Sequence, residues 1–440
     1  MSKIDARVFT PGKIGPIEIK NRTIRASAYE GMAEGHTPTK QLIDYHTSVA
    51  RGGIGMTSVA YAAVSKSGLS FHRQLWMREE IIPQLRELTD SIHQGGAKAC
   101  IQLGHCGNMS HRRYCGCRPV GASGGFNLYS PTFVHGLKKD EILEIVKDYG
   151  NAVRIARKGG FDAVEIHAGH GYLISQFLSP YTNHRKDEFG GSLENRMKFM
   201  EMVMREVMEA AGDDIAVLVK TNTRDGFKGG LEVDDCITVA KKLQELGAHC
   251  LVLSGGFVSK APMYVMKGKM PMRTLWGYMP WKSLWWLKIG IAIGGKLLIK
   301  NEPFKEAFFY DDAIKFRKAL DMPLAFVGGL NSVEAINKVM DAGFDFVPDF
   351  VDGKPHTDTH NVFTLGFYYT DTPNTIVDIS DFEDLKFEAI NCHESQKDVA
   401  LNAALHIQDQ YFAQGTDFKA AEVLRLQNKL HSHCFNLPIE

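Results

Sequence analysis

Eight short apolar runs recur along the chain, each followed by a break rich in glycine, serine or asparagine and then by a helical pattern. Such runs are typical of strands buried on both faces of a parallel sheet. They occupy residues 22–28, 53–61, 98–104, 162–168, 215–222, 249–256, 323–329 and 344–347. Eight strands that alternate with helices predict the α/β class and a (β/α)8 TIM barrel. A doubly wound open sheet is the runner-up, and it is disfavoured because no G-x-G-x-x-G follows any run.

The segments between the runs carry helical patterns. Between the fourth and fifth runs, apolar residues recur at Met197, Met200 and Met204, which is the spacing of one helix face. Residues 234–250 and 332–347 each read as a helix, a glycine turn and a strand. This repeating unit agrees with the predicted barrel.

A long insertion, residues 260–322, separates the sixth run from the seventh. It holds four of the five tryptophans of the chain, but lysines interrupt its apolar stretches, so we expect no transmembrane helix. A lid or subunit contact over the barrel mouth is one interpretation. The other is peripheral membrane contact through 274–299, because aromatic and lysine side chains together suit a membrane interface.

The chain after the last run departs from the repeat as well. We therefore divide the sequence into a barrel of residues 1–347, which includes the insertion as a possible lid, and a C-terminal extension of residues 348–440. Alternating and β-branched residues predict a few strands in the extension, and residues 395–412 and 417–433 read as two helices. This α+β tail has no function that we can predict from the sequence.

Charge and cysteine usage restrict the class of protein. Lys and Arg together number 51, as do Asp and Glu, and this balance argues against a nucleic-acid-binding surface. The first residues lack the apolar core of a signal peptide, and the eight cysteines are scattered, so we expect reduced thiols and a cytoplasmic enzyme. The one tight pair, Cys115 and Cys117, lacks a second pair at metal-binding spacing, so we expect no metal site.

The fourth run ends in an unusual group of polar side chains. His167 and His170 follow the buried strand, and Tyr172 comes two residues later. Catalytic groups of a (β/α)8 barrel lie at the carboxyl ends of its strands. Two imidazole N–H groups there can donate to one ligand oxygen. A metal site would need further ligands, and two satisfied polar groups at the rim are the structural alternative.

Four stretches of the sequence resemble the old yellow enzyme family of FMN-dependent ene-reductases, and specifically its bacterial NADH:flavin oxidoreductase branch. The fourth-strand stretch, 165–196, reads EIHAGHGYLISQFLSPYTNHRKDEFGGSLENR and is the most specific of the four. Residues 9–28 are similar to the family's first strand, IQLGHCGN at 101–108 to its third, and VGGLNS at 327–332 to its seventh. The resemblance covers residues 7–347 and implies that the barrel binds FMN.

The resemblance also implies roles for individual residues. His167 and His170 would hydrogen-bond the electron-withdrawing oxygen of the substrate, and Tyr172 would donate a proton. Lys220 stands where the family usually has an arginine near the flavin ring, and it keeps the charge without the planar fork of donors. The other implied cofactor contacts are Gln102 at the pyrimidine edge, Ser27, Ala28 and Ala60 at the isoalloxazine, and Gly255, Gly256, Gly328 and Gly329 at the phosphate.

The implied activity is transfer of hydride from NADH or NADPH through FMN to the activated C=C bond of an α,β-unsaturated carbonyl compound. The substrate is then a small electrophilic alkene, and the assembly is a monomer or a homo-oligomer. In one respect the sequence departs from the family, because the eighth run passes directly into Pro348 without the Gly-Arg turn that binds the phosphate. An alternative is therefore a flavin-free barrel that acts as a binding or membrane-associated protein.

Overall fold

The structure is a computed structural model, and it describes residues 4–127, 132–268 and 300–348. Beyond these it describes the backbone of short strands at Phe350–Val351, Lys354–Pro355, Thr364–Phe367, Thr375–Asp378 and Ala421–Asn428. The chain divides into two compact units. One comprises Met1–Asp358 together with His433–Glu440, and the other comprises Thr359–Ser432.

Eight parallel strands of the first unit form a barrel. They are β1 (Thr23–Arg25), β2 (Met56–Ala63), β3 (Lys98–Gly104), β4 (Ala163–His167), β5 (Ala216–Asn222), β6 (Cys250–Ser254), β7 (Leu324–Phe326) and β8 (Val347–Pro348). Each strand pairs with the next, and β8 pairs with β1. The remaining gap between β7 and β8 is bridged in parallel at Ala325 and Phe346. The predicted (β/α)8 barrel is confirmed, since each apolar run contributes one strand.

Seven helices connect the strands in order. They are α1 (Lys40–Arg51), α2 (Ile82–Gln94), α3 (Lys139–Lys158), α4 (Leu193–Ala211), α5 (Val233–Glu245), α6 (Tyr310–Ala319) and α7 (Val333–Asp341). Side-chain oxygens of Thr39, Ser192 and Ser332 accept hydrogen bonds from the first turns of α1, α4 and α7 and so define where these helices begin. The predicted apolar face of α4 is buried. Among the described residues no helix follows β8.

The barrel interior changes character along its axis. A hairpin of Gly12–Ile14 and Ile17–Ile19 packs its isoleucines against small and apolar residues of the interior, among them Cys100, Ala163 and Ala216. Towards the carboxyl ends of the strands the buried residues become polar, as at Gln102 and Lys220. Burying polar groups costs free energy unless they are hydrogen-bonded, so their presence here needs a reason. The carboxyl ends of the strands are also where active sites lie in (β/α)8 barrels, and we therefore place the candidate active site at this end.

The loops at this end carry small elements of their own. After β2 the short strand Leu75–Trp76 pairs with the end of β2. After β3 the loop folds into a sheet of Val120–Gly121, Gly125–Asn127 and Thr132–Gly136. Short helices span Arg112–Cys115, Leu173–Leu178 and Pro262–Met266.

The structure tests only part of what we expected outside the barrel. In the second unit, Ala421–Asn428 is the central strand of an antiparallel sheet with Thr364–Phe367 and Thr375–Asp378. Strands were predicted in the extension, but the helix predicted over 417–433 is wrong. Pairing on both edges of this strand outweighs its local helical preference. The helix predicted over 395–412 and the segment 274–299 lie outside the described residues.

No helix among the described residues is both long and apolar enough to cross a membrane.

Candidate active site

The ends of β4, β5 and β6 bring the polar side chains of three strands together. In the ladder His167 lies opposite Lys220, and Asn222 lies opposite Ser254. His170 follows β4 in a left-handed conformation with φ 58°. Its backbone N–H donates to Oδ1 of Asn222 at 3.0 Å, and its Nε2 lies 2.8 Å from Oγ of Ser254. Bonds to β5 and β6 therefore hold the loop after β4 in place.

The two imidazoles and the phenol that the sequence singled out lie side by side. The ring of Tyr172 stacks on the ring of His167 with centroids 4.2 Å apart. The ring of His170 meets that of His167 edge-on at 5.0 Å. Tyr61, at the end of β2, meets Tyr172 edge-on at 5.2 Å. The predicted grouping of His167, His170 and Tyr172 is thus present in the fold.

Both imidazoles are neutral. Burial lowers the pKa of His167 well below its usual value, and the neighbouring His170 and Lys220 lower it further. Burial, together with the Lys220 charge, lowers the pKa of His170 to about 3. The N–H of Gly169 points at Nδ1 of His167 across 3.4 Å, which favours the tautomer with the proton on Nε2. Each neutral ring can offer one N–H donor to a ligand.

We expect His170 to make stability depend on pH. Because the folded pKa is about 3 and the unfolded value is about 6.5, the unfolded chain binds the extra proton and stability falls as the pH drops below 6.5. Between about pH 7 and pH 5 the wild type should lose ~2 kcal/mol more than His170→Asn, a side chain that tolerates the left-handed conformation. Urea unfolding at the two pH values measures this difference. Equal losses would show that His170 is not held neutral.

Beneath the imidazoles lies a buried ionic group centred on Glu165. Its carboxylate accepts from Oγ of Ser27 at 2.7 Å and from Nε2 of Gln102 at 2.6 Å. Nζ of Lys220 pairs with the same carboxylate at 3.0 Å and also donates to the carbonyl of Ser27 at 3.2 Å. The side chains of Lys220 and Glu165 are each only 3% exposed. Three of the predicted cofactor residues therefore converge on one carboxylate.

Sequence reasoning missed Glu165. A signal was present, because Glu165 is an acidic residue inside an apolar run and lies two positions before His167, on the same face of the strand. A second missed residue is Glu30, which accepts from Nη1 of Arg25 at 2.6 Å and from the N–H of Ala60. Arg25 also donates to the carbonyl of Ala28 at 3.2 Å, so both predicted alanines are hydrogen-bonded to the Arg25–Glu30 pair.

The four predicted phosphate glycines lie at the ends of β6 and β7. Gly256 and Gly329 have φ of 100° and 69°, conformations that suit glycine. A Cβ on Gly255 or Gly328 would lie within 2.9 Å of the Phe309 ring, so a side chain has no room at either position. The N–H of Gly256 already donates to the carbonyl of Arg224 at 2.8 Å.

The predicted cofactor residues have functional groups that suit a flavin phosphate ester. The amide, hydroxyl and ammonium groups of Gln102, Ser27 and Lys220 suit a planar ring rich in acceptors. Near Gly255, the buried Oγ1 of Thr223 has no hydrogen-bond partner among the described residues, which leaves a polar atom for a ligand. Across residues 4–127, 132–268 and 300–348, no cluster of His, Cys, Asp and Glu could hold a metal ion.

Comparison with known proteins gives consistent matches. Residues 7–267 match the family model described as the NADH:flavin oxidoreductase / NADH oxidase family. The 4,4'-dithiodibutanoate disulfide reductase of Rhodococcus erythropolis is 36% identical over 341 residues, which cover 77% of this chain and 84% of that protein. The NADPH dehydrogenase of Listeria welshimeri is 34% identical over 58% of this chain and 76% of its own. The NADH oxidase of Thermoanaerobacter brockii is 32% identical, but the match spans only 40% of it.

Solved structures show the same architecture. The old yellow enzyme homologue from Zymomonas mobilis matches with a TM-score of 0.61 at 25% identity, over 78% of this chain and 88% of its own. The structure of 2-naphthoyl-CoA reductase matches with a TM-score of 0.66 over 78% of this chain and half of that one. At 22% identity the second likeness concerns the fold alone.

Proposed function

This chain belongs to the NADH:flavin oxidoreductase / NADH oxidase family, the old yellow enzyme family, and on that premise we propose that it reduces the activated C=C bond of an α,β-unsaturated carbonyl compound. FMN and NAD(P)H are its cofactors. The observation that carries the proposal is the stack of Tyr172 on His167 with His170 beside it.

We assign the cofactor contacts to the residues that converge at the strand ends. Gln102, Ser27 and Lys220 would hold the ring system, with Ala28 and Ala60 beside it. We assign the phosphate to the ends of β6 and β7, at Gly255, Gly256, Gly328 and Gly329, as the family resemblance implies. When bound, FMN supplies a hydride that it has taken from NAD(P)H. The rest of the chemistry falls to the protein.

The imidazole pair would polarise the substrate. Addition of hydride at the β-carbon moves negative charge onto the carbonyl oxygen, and His167 and His170 would donate N–H groups to that oxygen. A fixed donor of this kind contributes ~3–4 kcal/mol to the stability of the transition state. The phenol of Tyr172 would then deliver the proton to the α-carbon, a step worth roughly 10²–10⁴-fold in rate.

Disulfide reduction is the second candidate, because the relative from Rhodococcus erythropolis is a disulfide reductase. Exchange with the thiolate of Cys106 is an unsuitable route. Cys106, in the loop after β3, is fully buried, and burial raises the pKa of its thiol to about 12. We propose that a disulfide would instead accept the hydride directly, which yields one thiol and one thiolate that takes a proton from water.

The experiment is an anaerobic titration of the purified protein in which flavin absorbance is followed. We expect NADH or NADPH to bleach the flavin and 2-cyclohexenone to restore it. Tyr172→Phe should slow the enone reaction by roughly 10²-fold or more, because the α-carbon then lacks its acid. The same variant should leave reoxidation by 4,4'-dithiodibutanoate almost unchanged, since a thiolate is stable in water without protein assistance.

Each outcome selects one interpretation. Rapid restoration of the flavin by the enone, slowed in Tyr172→Phe, supports ene reduction. Restoration by the disulfide alone replaces it with the second candidate. A colourless protein that takes up no added FMN would instead support the flavin-free barrel, which the family assignment disfavours.

A further inference from the structure

Positive charge is concentrated in the two loops that follow β2 and β3. No Asp or Glu occurs between Tyr45 and Arg78 or between Ser91 and Lys139, although acidic and basic residues balance over the whole chain. Within these loops Arg73, Arg112 and Arg113 lie near the barrel mouth, and we call these three residues the basic rim. Such a concentration of one sign produces a positive potential at the entrance.

A continuous series of aromatic contacts connects the basic rim to the imidazole pair. Tyr61, which meets Tyr172 edge-on, also meets Tyr29 edge-on at 6.5 Å. Tyr29 in turn stacks on Phe71 with centroids 4.7 Å apart. Arg73 follows Phe71 by two residues, and its backbone carbonyl accepts from the N–H of Ala33. Of the rim residues, Arg73 is therefore connected through these rings to the imidazole pair.

Two of the rim arginines lie close to aromatic side chains of these loops. Burial and the charge of Glu30 raise the pKa of the Tyr29 phenol, and the charge of Arg73 opposes that rise. Tyr114 also acts on Tyr29, and the guanidinium of Arg113 lies 5.9 Å from the Tyr114 ring. Arg73 and Arg113 thus lie in two different loops at this end of the barrel, Arg73 two residues from the Phe71 ring that stacks on Tyr29 and Arg113 beside the Tyr114 ring.

The rim charges are not neutralised by the residues that the structure describes. Other arginines near this end of the barrel have carboxylate partners, as Arg25 has Glu30 at 2.6 Å and Arg224 has Asp312 at 2.7 Å. Arg73, Arg112 and Arg113 form no ion pair with a described residue, and Arg112 and Arg113 are exposed. Unpaired guanidinium groups at a site entrance are well suited to an oxyanion.

We propose that the basic rim binds an oxyanion on the ligand that enters above the flavin, with Arg73 and Arg113 as specificity-determining residues. The inference rests on the proposed function and further specifies that the ligand carries a negative charge. Two sources present this chemistry: a carboxylate on the electron acceptor, and the phosphates of NAD(P)H. Carboxylate and phosphate both match the planar fork of arginine donors.

The experiment compares matched ligands in the two half-reactions of the holoenzyme. For the acceptor, para-carboxycinnamaldehyde is compared with its methyl ester, which carries no charge. We expect the wild type to prefer the carboxylate, and Arg73→Gln and Arg113→Gln each to reduce that preference about fivefold, the upper range for a partly exposed charge pair. The preference should also weaken as salt is added. Arg205→Gln, on the outer surface of α4, is the control and should change nothing.

The second arm measures flavin reduction by NADH and NADPH in the same variants. A loss of affinity of about fivefold here, with the carboxylate preference unchanged, would support the rim and assign it to the reductant. If neither arm responds to Arg73→Gln, to Arg113→Gln or to salt, the proposal is overturned. Slow reduction of the neutral ester by every protein, including the wild type, would instead count against the proposed function, and the reductant arm would still test the rim.

Discussion

Replacement of His167 by alanine is expected to slow reoxidation of the flavin by an enone by roughly 10²–10³-fold, the cost of removing one oxyanion donor. His167 is 4% exposed and stacks on Tyr172, so its removal takes away both a donor and the surface that orients the phenol. The protein should remain yellow, because the residues assigned to the flavin ring are on other strands. Stopped-flow absorbance after anaerobic reduction measures the effect.

A second histidine variant serves as the control for this result. His249 is half-buried at the other end of the barrel, where its Nδ1 accepts from the N–H of Val217 at 2.9 Å. His249→Ala removes an imidazole at the opposite end of the barrel and should leave the reoxidation rate unchanged. Unaltered reoxidation in His167→Ala would contradict the role that we assign to this ring.

Replacement of Lys220 by methionine is expected to destabilise the fold by about 3–5 kcal/mol, because it leaves a buried carboxylate without its counter-charge. The pair with Glu165 is 3.0 Å long, and both side chains are 3% exposed. FMN affinity should fall as well, since the ammonium is the cation assigned to the ring system. Urea unfolding of the flavin-free protein measures the first effect, and titration with FMN measures the second.

A double variant separates the two effects. Glu165→Gln combined with Lys220→Met removes both charges and should recover most of the stability, while FMN affinity stays low. Lys242→Met breaks an exposed pair with Glu245 and should cost less than ~1 kcal/mol. If the double variant is no more stable than Lys220→Met, the buried pair is not the cause of the loss.

The fold and the first group of site residues could be predicted because their signals are local. Buried strands such as 162–168 and the helix face at Met197 and Met200 are periodic patterns that neighbouring residues establish by themselves. His167, His170 and Tyr172 lie within six residues of one another, so their proximity could be read from the sequence. Here local and tertiary preferences agree.

The misses have a different physical cause. Glu165 is stabilised by Gln102 on β3, by Lys220 on β5 and by Ser27, which follows β1. The residues next to Glu165 in the sequence do not indicate these partners. The partners come within hydrogen-bond distance only when the strands pair in register. The strand Ala421–Asn428 was mistaken for a helix for the same reason, since its stability comes from pairing with two strands distant in sequence.

The linear pattern of apolar runs and glycine breaks was therefore sufficient for the class of fold and for the edge of the barrel at which chemistry takes place. Barrel closure was required to collect the donors Ser27, Gln102 and Lys220 around the carboxylate of Glu165, and to bring the loops that carry Arg73 and Arg113 to the same end of the barrel. Periodicity is a property of neighbouring residues, whereas burial and charge pairing depend on segments that meet only after the chain has closed on itself.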